Sequence, residues 1–166
     1  MLIREANIKD VNDIARVHVD TWKTSYSKFI KEDYLKNRTY EWQAQKWLDR
    51  LFNNKNAKEF MYVAENDRRQ VVGFASGEMN PDREKHDSIL YTIYILKEYQ
   101  GQGIGRKLFE VVWNRLKSGG AKDMIVWAFK ENTACKFYEN LSGRLVDKKE
   151  AVKGGVELDE VAYLFK

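Results

Sequence analysis

The sequence predicts one mixed α/β (α+β) domain over residues 1–166. Three observations carry that reading. Tyr94–Leu108 reads as a strand that ends in a glycine-rich turn and opens directly into a helix. Strand-like and helical patterning then alternate along the chain with no repeat, low-complexity stretch or evident linker. The chain closes on two strand-like runs around Lys153-Gly154-Gly155, which read as a hairpin. The expected order is β-α-α-β-β-β-α-β-α-β-β.

Leu2–Glu5 makes a short first strand. Asp10 is placed to cap a helix whose inward stripe is Val11, Ile14, Ala15, His18 and Trp22. Tyr26, Phe29 and Ile30 fall in a loop, and a second helix runs from Tyr40 to Phe52 with Ala44, Trp47, Leu48 and Leu51 inward. After a polar break, Phe60–Glu65 and Val71–Glu78 form antiparallel strands around a turn at Asn66–Arg69. A polar loop surrounds Pro81. Ile89–Leu96 is almost wholly apolar or aromatic, as expected of a central strand covered on both faces. Ile104, Leu108, Val111, Val112 and Leu116 recur at helical spacing, and that helix ends near Gly119-Gly120. Met124–Phe129 is a further buried strand, Thr133–Leu141 a short helix, and Arg144–Val152 with Val156–Phe165 the terminal hairpin.

A chain of 166 residues can bury a substantial core. No apolar run approaches the ~18 residues of a membrane span, so no membrane association is expected. The first residues lack a secretory pattern, and Cys135, the sole cysteine, excludes an internal disulfide; a cytoplasmic location fits both. The net charge of +4 suits an anionic ligand, but the charges are mixed in sign and form no long basic run, so no nucleic acid is expected. No metal site is expected.

Gly101, Gly103 and Gly105 let the backbone bend tightly and approach a ligand. They stand at a helix N-terminus, where the first amides lack intrahelical partners and the dipole favours phosphate. Arg106 and Lys107 add formal charge. A plain tight turn is one reading. A P-loop would need Gly-Lys-Ser/Thr, which occurs nowhere in the chain. A dinucleotide fingerprint would need a glycine at Arg106 and an opening βαβ unit, whereas three strands precede this turn. An ordinary nucleotide-binding protein therefore rests on the turn alone.

Gln100-Gly-Gln-Gly103-Ile-Gly105 resembles the Gln/Arg-x-x-Gly-x-Gly/Ala signature of the GNAT superfamily of N-acetyltransferases. Asn132-Thr-Ala-Cys-Lys-Phe-Tyr138-Glu-Asn-Leu-Ser-Gly143 is similar to the family's second motif, with Ser142 in place of a glycine, and Lys97 stands where the lead-in often has proline. The element order matches over essentially the whole chain. The resemblance implies a central, mostly antiparallel twisted sheet with a splayed parallel strand pair and helices on both faces. It implies acetyl-CoA as co-substrate. The amides of Gly101, Gln102, Gly103, Ile104, Gly105 and Arg106 would hold its diphosphate, and the backbone of Ile93, Tyr94 and Ile95 would pair with its pantetheine arm. Asn132 would touch that arm, and Tyr138 would be the general acid. A main-chain amide near the same strand would polarise the thioester carbonyl.

The implied reaction moves acetyl to a primary amine of a small molecule or peptide. A lysine-like amine of pKa about 10.4 is neutral in only about one molecule in 10³–10⁴ at pH 7, so a proton must be removed. Where relatives carry a glutamate base, this chain has Ile89 or Trp127. Glu78 or a water chain remains as the base. The missing carboxylate also motivates an alternative, a non-catalytic acyl-CoA-binding sensor. Cys135 lacks a His-Asp pattern and reads as packing. The resemblance places the acceptor beside the first two helices, where Trp22, Tyr26, Phe29, Tyr34 and Trp42 could stack on it or simply cover the core, and where Glu32, Asp33, Glu78 and Asp82 could attract a polyamine. His18 reads as a buried, hydrogen-bonded histidine. The terminal hairpin offers a surface for a homodimer.

Overall fold

The computed structural model describes residues 1–80 and 85–166. Pro81 and Asp82, and with them the heart of the expected loop, lie outside the described residues. Strands β1 (Leu2–Glu5), β2 (Phe60–Glu65), β3 (Val71–Met79), β4 (Ser88–Ile95), β5 (Met124–Phe129), β6 (Arg144–Lys153) and β7 (Val156–Phe165) form one sheet in the order β1-β2-β3-β4-β5-β7-β6. Every neighbouring pair is antiparallel except β4–β5. The mostly antiparallel sheet with one parallel pair is thus as expected.

Helix α1 (Val11–Tyr26) covers one face and α4 (Ile104–Ser118) the other. The alternation of side chains along β3 sets this division. Phe74 meets His18 of α1, with ring centroids 6.3 Å apart. Gly77 faces α4, where a Cβ would come within 2.9 Å of Val112. The remaining helices are α2 (Glu32–Lys36), α3 (Tyr40–Trp47) and α5 (Ala134–Asn140).

Four local expectations change. Asp10 does not cap α1 through its side chain. Its carboxylate accepts from the Asn7 amide and from Arg4, while Asn7 caps a 3₁₀ turn that leads into α1. The segment after Tyr26 contains α2, held by Leu35 in a cluster with Trp22, Tyr26 and Ile30. The second helix becomes π-helical at Leu48–Phe52, and its most buried residues are Gln43 and Trp47. Strand β4 is not covered on both faces: Tyr91 is exposed and Thr92–Ile95 are only partly buried, because the sheet opens beside them.

Candidate active site

The site begins where a ladder stops. Strands β4 and β5 pair only at Ile89–Ile125 and Leu90–Val126. Beyond these two rungs they diverge, and β4 from Tyr91 onward has no β5 partner. Opposite, Thr92 pairs with Ser76 and Leu90 with Gly77, which leaves Tyr91 as the extra residue of a β-bulge. Bulges increase local twist and re-aim side chains. The opened wedge is a cavity of about 440 Å³ between β4, the glycine turn, β5, α5 and the C-terminal part of α1.

The turn is shaped for close approach. Gly101 and Gly103 adopt φ of 74° and 79°, where a Cβ would be strained although space is open. Gln100 Nε2 donates to Ile95 O at 2.9 Å and ties the turn to the strand end. The helical ladder of α4 starts with Lys107 N–H to Gly103 O, so the amides of Ile104, Gly105 and Arg106 precede it. Gly105 sits where a Cβ would lie 3.2 Å from both Ile95 and Phe137. Gly101, Gly103, Gly105 and Arg106 line the cavity, as do Ile93, Tyr94, Ile95, Asn132 and Tyr138. Gln102 and Ile104 do not. The Gln102 side chain donates to Glu98 O, and the Ile104 side chain is buried in the core, so either could act only through its backbone.

Tyr26, Tyr94 and Tyr138 are among the tyrosines that line the cavity. Trp22 Nε1 donates to Tyr94 Oη at 3.0 Å, and Asn132 Nδ2 donates to Tyr26 Oη at 3.2 Å. Tyr138 packs against Tyr163 and Phe165. Burial, reinforced by neighbouring Tyr94 and Cys135, pushes the Tyr138 phenol well above its ordinary range. Burial likewise raises Tyr26 and Tyr94. Asn132 Oδ1 accepts from the Ala134 amide, so both polar atoms of Asn132 are engaged within the chain, with one Nδ2 hydrogen left over. Thr21 also lines the cavity, and its hydroxyl is buried without a hydrogen-bond partner. Cys135 Sγ donates to Phe129 O, and burial raises its pKa, which keeps it a thiol.

Residues 21–143 match the model of the acetyltransferase (GNAT) family. The chain belongs to the GNAT family. It is 37% identical over 160 residues to the uncharacterized N-acetyltransferase YuaI of Bacillus subtilis, covering 96% of this chain and 89% of that one. An uncharacterized N-acetyltransferase of Archaeoglobus fulgidus is 31% identical over 144 residues, covering 83% and 89% respectively. Among solved structures, the PaiA N-acetyltransferase of Thermoplasma acidophilum in complex with coenzyme A superposes with a TM-score of 0.74 at 18% identity, over 96% of each chain. The yncA putative acetyltransferase of Salmonella typhimurium with acetyl-CoA gives 0.69 at 20% identity, over 100% of this chain and 93% of that one.

Of the two readings of the aromatics near the first two helices, acceptor stacking or cover for the core, Trp22 of this GNAT protein fits the second. Trp22 is buried, and the guanidinium of Arg38 lies 4.2 Å from its ring centroid, also near Tyr34 and Trp42. Arg38 Nη2 donates to Tyr34 Oη at 2.8 Å. The chain's own cation thus occupies the aromatic group that the sequence offered to an acceptor. Glu32 pairs with Lys36 instead of facing the cavity. Glu78 does not line the cavity but accepts from Tyr91 Oη, which does. Arg106 is the one charged side chain among the described cavity-lining residues, and no carboxylate is among them. His18 is buried and accepts from Trp47 Nε1 at Nδ1; burial, with Arg38 and Arg50 nearby, lowers its pKa to about 3. It stays neutral at pH 7, and the low pKa makes it a weak proton acceptor. The side chains of Thr21, Tyr91 and Thr92 were the part of the site that sequence reasoning missed, while Tyr26, named among the aromatics, does line the cavity. Only the bulge and the splayed ladder bring them together.

Among the described residues, no three His, Cys, Asp or Glu side chains gather into a metal site, and no helix is long and apolar enough to cross a membrane.

Proposed function

We propose that this chain is one cytoplasmic acetyltransferase domain over residues 1–166 that transfers acetyl from acetyl-CoA to a primary amine by direct attack in a ternary complex. The observation that carries the reading is the cavity itself. It joins amides ahead of a helical ladder, an unpaired stretch of β4 and the buried phenol of Tyr138. These groups fit a ligand with a diphosphate at one end and amides in an extended arm. The amides of Gly101 to Arg106 would hold the diphosphate, and the backbone of Ile93, Tyr94 and Ile95 would pair with the arm as an added strand. The left-over Asn132 hydrogen and the orphan Thr21 hydroxyl offer further contacts. An adjoining hollow of about 450 Å³ carries Lys28 and Lys97, suited to a remaining phosphate. Acetyl-CoA, when bound, supplies an activated acetyl thioester.

Tyr138 acts as the general acid, holding its proton toward the departing sulfur. Burial favours the protonated form of this phenol, the form that a proton donor needs. A thiolate forming in the same buried surroundings also gains proton affinity, so the two groups move toward a match. The acceptor is a small-molecule or peptide amine. The edge strand β6, with exposed Leu145 and Val152, is the surface for a homodimer.

A panel of primary amines with detection of released thiol tests the reading. Tyr138→Phe is expected to lower turnover by about 10²-fold with CoA affinity, by isothermal titration, within twofold of wild type. Unchanged turnover at saturating substrate would remove Tyr138 from the proton-donor role. Failure of the wild type to bind CoA would remove the whole proposal. The absence of a carboxylate from the described cavity lining favours one second reading, an acyl-CoA sensor, which predicts CoA binding without thiol release.

A further inference from the structure

An ammonium group entering the cavity must lose a proton, yet no carboxylate lines that cavity among the described residues. A polar path leads away from it. Thr92 lines the cavity, and its Oγ1 lies 3.2 Å from Ser76 Oγ, across the β3–β4 rung that pairs these residues. Ser76 is fully buried. Met61 is the β2 partner of Ser76, and Glu59 lies two residues before Met61, immediately ahead of β2. Its side chain is only 5% exposed and is paired with Arg50 through Oε2. Its other oxygen, Oε1, is buried without a hydrogen-bond partner, and the Ser76 hydroxyl is among the groups that act on this carboxylate.

We propose that Glu59 is the proton acceptor of the acetyl-transfer reaction, reached from the cavity through the hydroxyls of Thr92 and Ser76. This rests on the acetyltransferase reading above. The ammonium gives one proton to Thr92 Oγ1, Thr92 passes its own hydroxyl proton to Ser76 Oγ, and Ser76 passes its proton to the Glu59 carboxylate. A neutral amine and a neutral carboxylic acid result, and both hydroxyls are restored. The polarity of the path is fixed at its end, because an ionised carboxylate can only accept. Burial raises the Glu59 pKa, opposed by the Ser76 hydroxyl and Arg50 and aided by Glu78, so the carboxylate is a better base than an exposed glutamate. Arg50, Glu78 and Tyr91 are the other ionisable groups around it. Glu78, by contrast, meets the cavity only through the Tyr91 phenol, whose own pKa is raised to about 12 by burial and by Glu78. Glu59 is the better-placed acceptor because its Oε1 is buried and has no hydrogen-bond partner. Glu59 does not touch the reacting atoms in this scheme; it works through Thr92 and Ser76.

Two measurements test the relay. In thiol-release assays across pH 6–9.5 with an amine from the panel above, Glu59→Gln and Thr92→Val should each lower kcat by about 10²-fold. The acidic limb of the pH profile should lose its dependence on Glu59, and Thr92→Ser should restore turnover to within threefold of wild type. Equal losses in Thr92→Val and Thr92→Ser, or a Glu59→Gln profile that matches wild type, would overturn the proposal. The second measurement needs no acceptor. Carboxyl ¹³C NMR of glutamate-labelled protein, with Glu59→Gln to assign the signal, should show Glu59 titrating above the ordinary 4.5 and higher still in Ser76→Ala. An ordinary value, or one that Ser76→Ala leaves in place, would also overturn it. The underlying reading fails separately, by absence of CoA binding in the wild type. Glu59→Gln should bind CoA as the wild type does, and a tenfold loss would make Glu59 a structural residue instead.

Discussion

Acid should unfold this protein partly through one histidine. His18 is 7% exposed, accepts the Trp47 indole N–H at Nδ1, and so carries its proton at Nε2, a buried donor without a partner. Charging the ring would place an imidazolium in an apolar pocket with Arg38 and Arg50 nearby, and its pKa falls from an ordinary 6.5 to about 3. The unfolded chain therefore binds a proton between these values that the folded chain refuses. The stabilising contribution is complete above pH 6.5 and is lost as pH falls toward 3. At pH 4.5, two units below the unfolded value at about 1.4 kcal/mol each, the loss is about 2–3 kcal/mol. The figure depends only on the folded pKa lying below 4.5. Denaturant unfolding followed by tryptophan fluorescence at pH 7.5 and 4.5 would measure it. The companion variant is His18→Phe, which keeps the ring and cannot titrate. Its lost hydrogen bond to Trp47 should cost about 1–3 kcal/mol at both pH values. Asp10, held below its ordinary range by Arg4, loses its contribution only below pH 3.8, and Glu59 acts with the opposite sign in both proteins. The wild type should therefore lose about 2–3 kcal/mol more than His18→Phe between the two conditions. Equal losses would refute the buried, neutral assignment and reopen His18 as a titrating group beside the active site.

Two further predictions concern backbone conformation. Gly103→Ala meets no steric neighbour, so its folding cost should be only the left-handed penalty of about 1–2 kcal/mol. The added methyl should nevertheless weaken CoA binding at least tenfold by isothermal titration, and unchanged affinity would place the diphosphate elsewhere. Ser142 has φ of 66° in a Schellman-type cap, in which Gly143 N–H bonds Tyr138 O and Ser142 N–H bonds Glu139 O. Ser142→Gly should raise stability by about 0.5–1 kcal/mol in denaturant unfolding, because relief of strain exceeds the added chain entropy; a loss would contradict the left-handed assignment.

The parts of the fold that were legible in the sequence are those whose cause is local. A glycine that must hold a positive φ, a hairpin around Gly154-Gly155 and a helical stripe ending at Gly119 each announce themselves within a few residues. The five-residue α2 carries no such signal, because it is held by Leu35 against side chains of α1 and its following loop. The apolar run of β4 was ambiguous for a different reason. A strand buried beneath helices on both faces and a strand that flanks a cleft both exclude charge, so composition could not separate them. The aromatics near the first two helices left two readings open in the same way. Trp22 and Tyr34 are where the sequence placed them, but Arg38, sixteen residues beyond Trp22, folds back over the indole and turns a would-be acceptor platform into packing. The tyrosines of the site come from α1, β4 and α5, and only tertiary structure could unite them.

A peptide group taken out of water must find a partner or bear a desolvation cost, so an interrupted ladder in the middle of a sheet is an unstable arrangement unless something completes it. In this fold β4 and β5 share two rungs and then part, in the interior of a seven-stranded sheet and not at its edge. Water filling the wedge can satisfy those groups, but a ligand with amides at strand-like spacing satisfies them better and displaces that water. The bulge at Tyr91 belongs to the same device. By inserting one residue it sets Thr92 opposite Ser76, and the Tyr91 hydroxyl meets Glu78, so the side-chain polarity beside the cleft comes from the β3–β4 bulge and the backbone vacancy from the neighbouring β4–β5 splay. On the proposed reading, the β4–β5 splay would serve the acetyl donor and the β3–β4 bulge the acceptor's proton, so two neighbouring irregularities of one strand would divide the reaction between them.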